Sequence, residues 1–236
     1  IMGEETELYG QGYFVYDSKK AGAVTVSHLR FSPKPIHSPY LIGNNDANFI
    51  GCHQPVFLER YEMLDSAAEG AVFLVNTPTK PDKVWDLLTR KMQQQIIDKK
   101  LRLFVVDAFR VAREVGLGNR INTVMQPCFF ALSGVLPADE AVARIKESVE
   151  KTYGKRGPVI VARNVAAIDR SLQELAQVQV PDVVECGQVA GIAVPDDAPD
   201  FVKRVTVPLL ANEGDSLPVS AFPVDGSFIT GTTKYE

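Results

Sequence analysis

The first apolar pattern of the chain is divided by a short polar segment. Residues 13–16 and 23–26 form runs apolar enough for buried strands, and residues 17–22 between them read DSKKAG. This pattern predicts two strands joined by a polar loop. The loop carries Lys19 and Lys20 among small residues, which would let a large anion approach the backbone closely. Two interpretations stay open at this point, a solvated loop and an anion site.

Strands and helices alternate from residue 49 to residue 107. A short buried strand is predicted at residues 49–52, and stronger apolar runs predict strands at residues 71–76 and 101–107. Pro55 and Pro81 stand where a helix would begin, and apolar residues recur after each of them. We therefore predict one helix after each proline, the first ending at Gly70. Such alternation favours an α/β sheet.

From residue 108 the pattern becomes mostly helical. Apolar residues at three- and four-residue spacing predict helices over residues 108–115, 121–132, 137–154 and 161–175. Gly116 and Gly118 break the first of these, and Gly154 ends the third. Pro127 lies inside the second helix and should end or kink it.

Prolines and scattered glycines dominate the chain beyond Pro181. They interrupt every candidate helix except a short one expected around residues 201–210. We place a domain boundary near residue 180. Residues 1–180 are predicted to form a three-layer α/β/α domain with a central mixed or mostly parallel sheet, and residues 181–236 an irregular extension.

Composition excludes several classes of protein. The 236 residues are 45% hydrophobic and 23% charged, with no apolar run long enough to span a membrane, which is typical of a soluble globular protein. A net charge of −4 and a pI near 5.5 argue against general nucleic-acid binding, so an anion site would have to be local. The acidic start implies no export signal. Three widely spaced cysteines indicate reduced, cytoplasmic thiols and neither a zinc nor an iron–sulfur site.

Three further segments carry candidate chemistry. The stretch GLGNRINTVMQ would place Arg120 and Asn122 in the first turn of a helix, although its glycines also read as the cap of the preceding helix. The pair Cys52 and His53 could suggest a nucleophile and base, but neighbouring residues of a strand point to opposite faces, which favours a buried cysteine. The stretch YGKRG at residues 153–157 is either a phosphate patch or, as we favour, a charged helix exit.

Four segments together resemble the pyruvate:ferredoxin (flavodoxin) oxidoreductase family. They read GYFVYDSKKAGAVTVSHLRF, GLGNRINTVMQPCFFALSGVLP, KTYGKRGPVIVARN and GDSLPVSAFPVDGSFITGTTKYE. The resemblance spans essentially the whole chain. It corresponds to an internal piece of a large multidomain enzyme, the domain related to the gamma subunit of split 2-oxoacid:ferredoxin oxidoreductases (domain III), followed by the linker toward the ferredoxin-like domain.

The resemblance implies a role in a larger reaction. Enzymes of this family decarboxylate pyruvate with thiamine diphosphate and Mg, pass electrons through [4Fe–4S] clusters to ferredoxin or flavodoxin, and transfer the acetyl group to coenzyme A. The resemblance also implies a cytoplasmic homodimer, in which this domain contacts the other domains of the same polypeptide. The thiamine and cluster machinery belongs to the full-length enzyme, so we expect no catalytic residue, no metal site and no turnover in this chain alone.

By the same resemblance, the domain helps to hold coenzyme A. The contacts that it implies here are Lys19, Lys20, Arg120, Asn122 and Asn164. A second hypothesis is that the chain is an interaction module that packs between domains and binds no ligand itself. A nicotinamide dehydrogenase is disfavoured, because the glycines follow a helix instead of a strand and lack the G-x-G-x-x-G spacing. The 2-oxo acid, the choice of acceptor protein and the oligomeric state stay open.

Overall fold

The described part of the chain begins with a hairpin that stands apart from the main sheet. The computed structural model describes residues 6–16, 24–38, 41–184, 194–211 and 213–235. Strands β1 (Tyr9–Tyr16) and β2 (Thr25–Ser32) pair antiparallel as a two-stranded sheet of their own. The predicted strand–loop–strand order is therefore confirmed. The expectation that both strands are buried is wrong, because nearly all of their residues are exposed or half-buried in this separate sheet.

The main sheet has four strands in the order β3-β4-β5-β6. They are β3 (Ala47–Cys52), β4 (Ala67–Asn76), β5 (Arg102–Val106) and β6 (Ala176–Gln177). The first three are parallel to one another, and β6 is antiparallel to β5, so the sheet is mixed and mostly parallel as predicted. Gly70, predicted to end a helix, instead has a positive φ of 74° inside β4, beside a register irregularity against β3.

Five helices surround this sheet and a short sixth lies in the C-terminal region, counting the described residues. They are α1 (Arg90–Asp98), α2 (Ala108–Glu114), α3 (Asn122–Ser133), α4 (Ala138–Tyr153), α5 (Pro158–Gln173) and α6 (Val207–Leu210). The four predicted after residue 108 are all present. Pro127 is buried within α3, and the helix continues through it to Ser133.

The two helices predicted after Pro55 and Pro81 are largely replaced by 3₁₀ turns. The turns cover Pro55–Leu58, Met63–Ser66, Pro81–Lys83 and Trp85–Leu87. The apolar positions at residues 55, 58, 61 and 64 recur every third residue, which is the period of a 3₁₀ helix and not the 3.6 of an α-helix. Helix α1 begins only at Arg90, where the Thr89 hydroxyl accepts from the Met92 N–H at 3.2 Å.

The core lies on both faces of the sheet. On one face, Phe73, Val75 and Leu103 pack against the 3₁₀ turns and α1, with the only tryptophan of the chain, Trp85, among them. On the other face, Leu74 and Val106 pack against α2, α3 and α5. A third apolar cluster joins α3, α4 and α5 to each other. This arrangement is the predicted three-layer α/β/α domain.

The C-terminal region is irregular, as predicted. A π-helical turn at Val202–Thr206 leads into α6, where the short helix was expected, and 3₁₀ turns follow. Among the described residues, the three core clusters include none beyond Val180. No helix within the described ranges has the length and apolar character that crossing a bilayer requires.

Candidate functional site

The turn between α2 and α3 carries the predicted helix-start chemistry. Gly116 and Gly118 have φ values of 79° and 65°, a conformation that disfavours other residues, and they reverse the chain between the two helices. Arg120 and Asn122 follow, and both are exposed. Ile121 precedes the helix and supplies no side-chain cap. The start of α3 therefore has no side-chain cap, and the exposed residues Arg120 and Asn122 lie beside it.

Arg163 of α5 lies against the same turn. Its Nη1 donates to the Gly116 carbonyl at 3.3 Å. The φ of 79° favours glycine at position 116, and a Cβ added there would lie 3.0 Å from Arg163 Nε, so that the arginine side chain would have to shift. Arg163 is not among the site residues predicted from the sequence. Its position next to Asn164 in the ARN stretch was the only signal available.

Asn164 is buried directly beneath the first turn of α3. Its Oδ1 accepts from the Thr123 hydroxyl at 3.0 Å, and its Nδ2 donates to the Ile160 carbonyl at 2.8 Å. Only 3% of Asn164 is exposed. The structure thus brings three of the five predicted residues, Arg120, Asn122 and Asn164, to the same end of α3, with Asn164 holding α5 against α3 from inside.

Lys19 and Lys20 lie outside the described residues. The strands that flank them end at Tyr16 and begin at Thr25. The root of this hairpin contacts α3, since the rings of Phe31 and Phe129 lie 5.9 Å apart between centroids. Helix α3 therefore carries the Arg120 turn at its beginning and the hairpin contact near its end.

An ion-pair network next to the turn uses other charged groups. Arg110 of α2 pairs with Glu174 at 2.5 Å and with Glu114 at 3.4 Å, and Arg170 of α5 pairs with Glu114. These contacts lower the pKa of Glu114, chiefly through the hydrogen bond from Arg170. Among the described residues, Arg120 and Arg163 take part in no ion pair. The positive charge at the turn is thus available to an anion.

The other candidate segments have structural explanations. Cys52 is buried, its thiol donates to the Gln54 carbonyl at 3.1 Å, and burial raises its pKa to about 11, so it is not an activated nucleophile. Lys155 and Arg156 lie in a 3₁₀ turn at the end of α4, and the Arg156 guanidinium is 5.7 Å from the centroid of the Tyr153 ring. This arrangement fits the charged helix exit that the sequence favoured.

Comparison with known proteins adds the family context. A family model described as pyruvate ferredoxin/flavodoxin oxidoreductase matches residues 2–174, and a model described as a domain of unknown function matches residues 189–236. The chain is 55% identical to a putative pyruvate-flavodoxin oxidoreductase of Synechocystis sp. and 52% identical to pyruvate-flavodoxin oxidoreductase of Rhodospirillum rubrum. Each match covers 100% of this chain and 20% of the relative. The chain thus spans about a fifth of the length of these curated relatives.

A solved structure shares the fold. The pyruvate oxidoreductase subunit PORC of Thermotoga maritima superposes with a TM-score of 0.52 at 16% identity, covering 73% of this chain and 83% of that chain. At this identity the likeness concerns the fold alone.

Proposed function

The chain belongs to the pyruvate ferredoxin/flavodoxin oxidoreductase family, and from this premise we propose that it is the coenzyme A-handling domain of such an enzyme. The polypeptide that carries it would oxidise pyruvate, transfer the acetyl group to coenzyme A and reduce ferredoxin or flavodoxin. Thiamine diphosphate, Mg and [4Fe–4S] clusters would be held by its other domains. This chain would contribute the contacts to the coenzyme.

One observation carries the proposal: two arginines without ion-pair partners in the described part of the chain are placed at the turn that precedes α3, a helix whose start has no side-chain cap. Arg120 precedes α3, and Arg163 lies against the same turn through Gly116. Coenzyme A carries a diphosphate and a 3′-phosphate, and guanidinium groups and helix-start N–H groups are suitable donors for both. In a chain with a net charge of −4, a local cluster of this kind is where a polyanion would bind.

Each predicted contact has a distinct part in this proposal. Arg120 and Asn122 are exposed and would touch a phosphate directly. Asn164 is buried and bonded to Thr123, so it would support the start of α3 and would reach the coenzyme only if its side chain rearranged. Lys19 and Lys20, which lie outside the described residues, are proposed as further charge partners of the phosphates.

The test is the apparent affinity for coenzyme A of the complete polypeptide that carries this chain, measured as KM for coenzyme A and by calorimetry. We expect Arg120→Ala and the pair Lys19→Glu and Lys20→Glu each to raise Kd about tenfold or more, while KM for pyruvate stays the same. Lys83→Glu is the matched control, because Lys83 is exposed in a turn on the opposite face of the sheet and should change neither value. Unchanged coenzyme affinity in both site variants would refute the proposal.

A further inference from the structure

The β1–β2 hairpin exposes apolar side chains on both of its faces. Cross-strand partners share a face, and successive residues alternate between faces. The register therefore assigns four exposed apolar side chains to one face and three to the other. The first set is Tyr9, Tyr13, Val15 and Val26, and the second is Phe14, Tyr16 and Leu29. These seven residues are between 41% and 74% exposed.

On the second face two of the side chains lie over the same glycine. A Cβ added at Gly12 would lie 3.3 Å from Phe14 and 3.4 Å from Leu29, so both side chains cover the glycine backbone. The apolar patch therefore extends over both strands. Contiguous apolar patches of this kind on a protein surface indicate a contact with another surface.

The hairpin packs against the core of the domain at its root. Leu8 and Phe31 pack against the cluster formed by α3, α4 and α5. No residue from Tyr9 to Tyr16 belongs to any of the three core clusters of the described chain. A two-stranded hairpin is marginally stable in water unless another surface covers it. The exposed part thus lacks the support that a stable hairpin requires.

The residue composition of strands β1 and β2 favours an apolar partner. The two strands contain a single formally charged residue, Arg30, and its guanidinium donates to the Gln11 side chain and to the Ser38 carbonyl. His28 accepts from the Ile42 N–H at 3.1 Å. The side chains of Arg30, Gln11 and His28 are therefore engaged locally. The faces of the two strands therefore offer little to a nucleic acid or a highly charged protein surface, and the other charges of this segment belong to residues 17–22 between the strands.

We propose that an apolar cleft in the remainder of the same polypeptide, outside these 236 residues, encloses both faces of this hairpin. The chain covers 20% of its relatives, so most of such a polypeptide lies outside it and would be tethered to the hairpin at high effective concentration. A second copy of the hairpin is a poorer occupant, because a two-fold contact would cover one face and leave the other exposed. This contact is separate from coenzyme A binding. It would give the chain the role of packing between domains, which the sequence left open as a second hypothesis.

Site-specific photo-crosslinking in the complete polypeptide tests the proposal. The photoreactive residue p-benzoylphenylalanine replaces Tyr13 on one face or Phe14 on the other, and both changes keep an aromatic side chain in the strand. Two populations of the polypeptide, one carrying heavy nitrogen, are mixed before irradiation. Val159, an exposed apolar residue at the start of α5, is the matched control position.

We expect crosslinks from both hairpin positions to peptides outside residues 1–236, at different sites for the two faces, without mixed isotope labels. The crosslinking yield from positions 13 and 14 should exceed the yield from the control position 159. Crosslinks with mixed labels would identify another copy as the occupant and overturn the proposal, as would yields no higher than the control at positions 13 and 14. Neither outcome depends on coenzyme affinity, so this proposal and the coenzyme proposal can fail separately.

Discussion

Cys128 is a thiol that the fold keeps neutral. It is fully buried, donates to the Val124 carbonyl at 3.3 Å, and burial raises its pKa from 9.0 to about 12. A raised folded-state pKa means that the unfolded chain ionises first as pH rises. The thiol's contribution to stability is therefore complete below pH 9 and declines as pH rises from 9 toward 12.

This gives a prediction for alkaline stability. Above pH 9 the free energy of unfolding should fall by up to about 1.4 kcal/mol per pH unit through this thiol alone. The variant Cys128→Ala should be less stable at pH 8 because a buried side chain is shortened, yet lose less stability between pH 9 and 11. Urea unfolding at several pH values measures both. Parallel curves for the two proteins would contradict the assignment.

The hydrogen bond between Thr123 and Asn164 acts between elements, because it joins α3 to α5 in a buried position. Removing one partner leaves the other buried without a hydrogen bond, which lowers the free energy of unfolding more than removing both partners does. Asn164→Ala should lower the free energy of unfolding by about 1–3 kcal/mol. Val159→Ala on the same helix should change it by less than about 0.5 kcal/mol, since Val159 is exposed.

A double variant sharpens the test. Thr123→Val combined with Asn164→Leu removes donor and acceptor together and should recover part of the stability that Asn164→Ala loses. Chemical denaturation followed by circular dichroism measures the series. If Asn164→Ala is as stable as the parent protein, the bond contributes nothing to the packing of α3 on α5.

The three apolar core clusters lie in roughly the first three quarters of the chain. All residues of the three core clusters in the described ranges lie at or before Val180, whereas Ala198, Phe201, Val202 and Val205 are buried outside those clusters. Residues 189–236 also match a family model of their own. The boundary near residue 180 stays a prediction.

Truncation tests that boundary. Deleting residues 185–236 should leave the unfolding midpoint reported by Trp85 fluorescence within about 4 °C of the parent chain, because a change below about 1 kcal/mol is expected in a domain of this size. Trp85 is a suitable probe since it is the only tryptophan and lies in the core beneath α1. Loss of a cooperative transition after truncation would show that the extension is part of the domain.

The local pattern of the sequence was enough to predict β4, β5, α4 and α5. Each has a continuous apolar pattern, and Gly154 correctly marked the end of α4, whereas Gly70, predicted to end a helix before β4, lies inside that strand. The pattern failed after Pro55 and Pro81, where a three-residue period was read as helical, and it missed β6, whose two residues are too few to show a period.

The chain's own order of apolar and polar residues therefore determined the layered α/β/α architecture and, through its long motifs, the family. Tertiary structure decided the rest. Burial follows from which surfaces meet, so only the fold could show that the hairpin is exposed and that Asn164 is enclosed. The approach of Arg163 to Gly116 joins residues 47 positions apart, a proximity that local sequence periodicity does not encode.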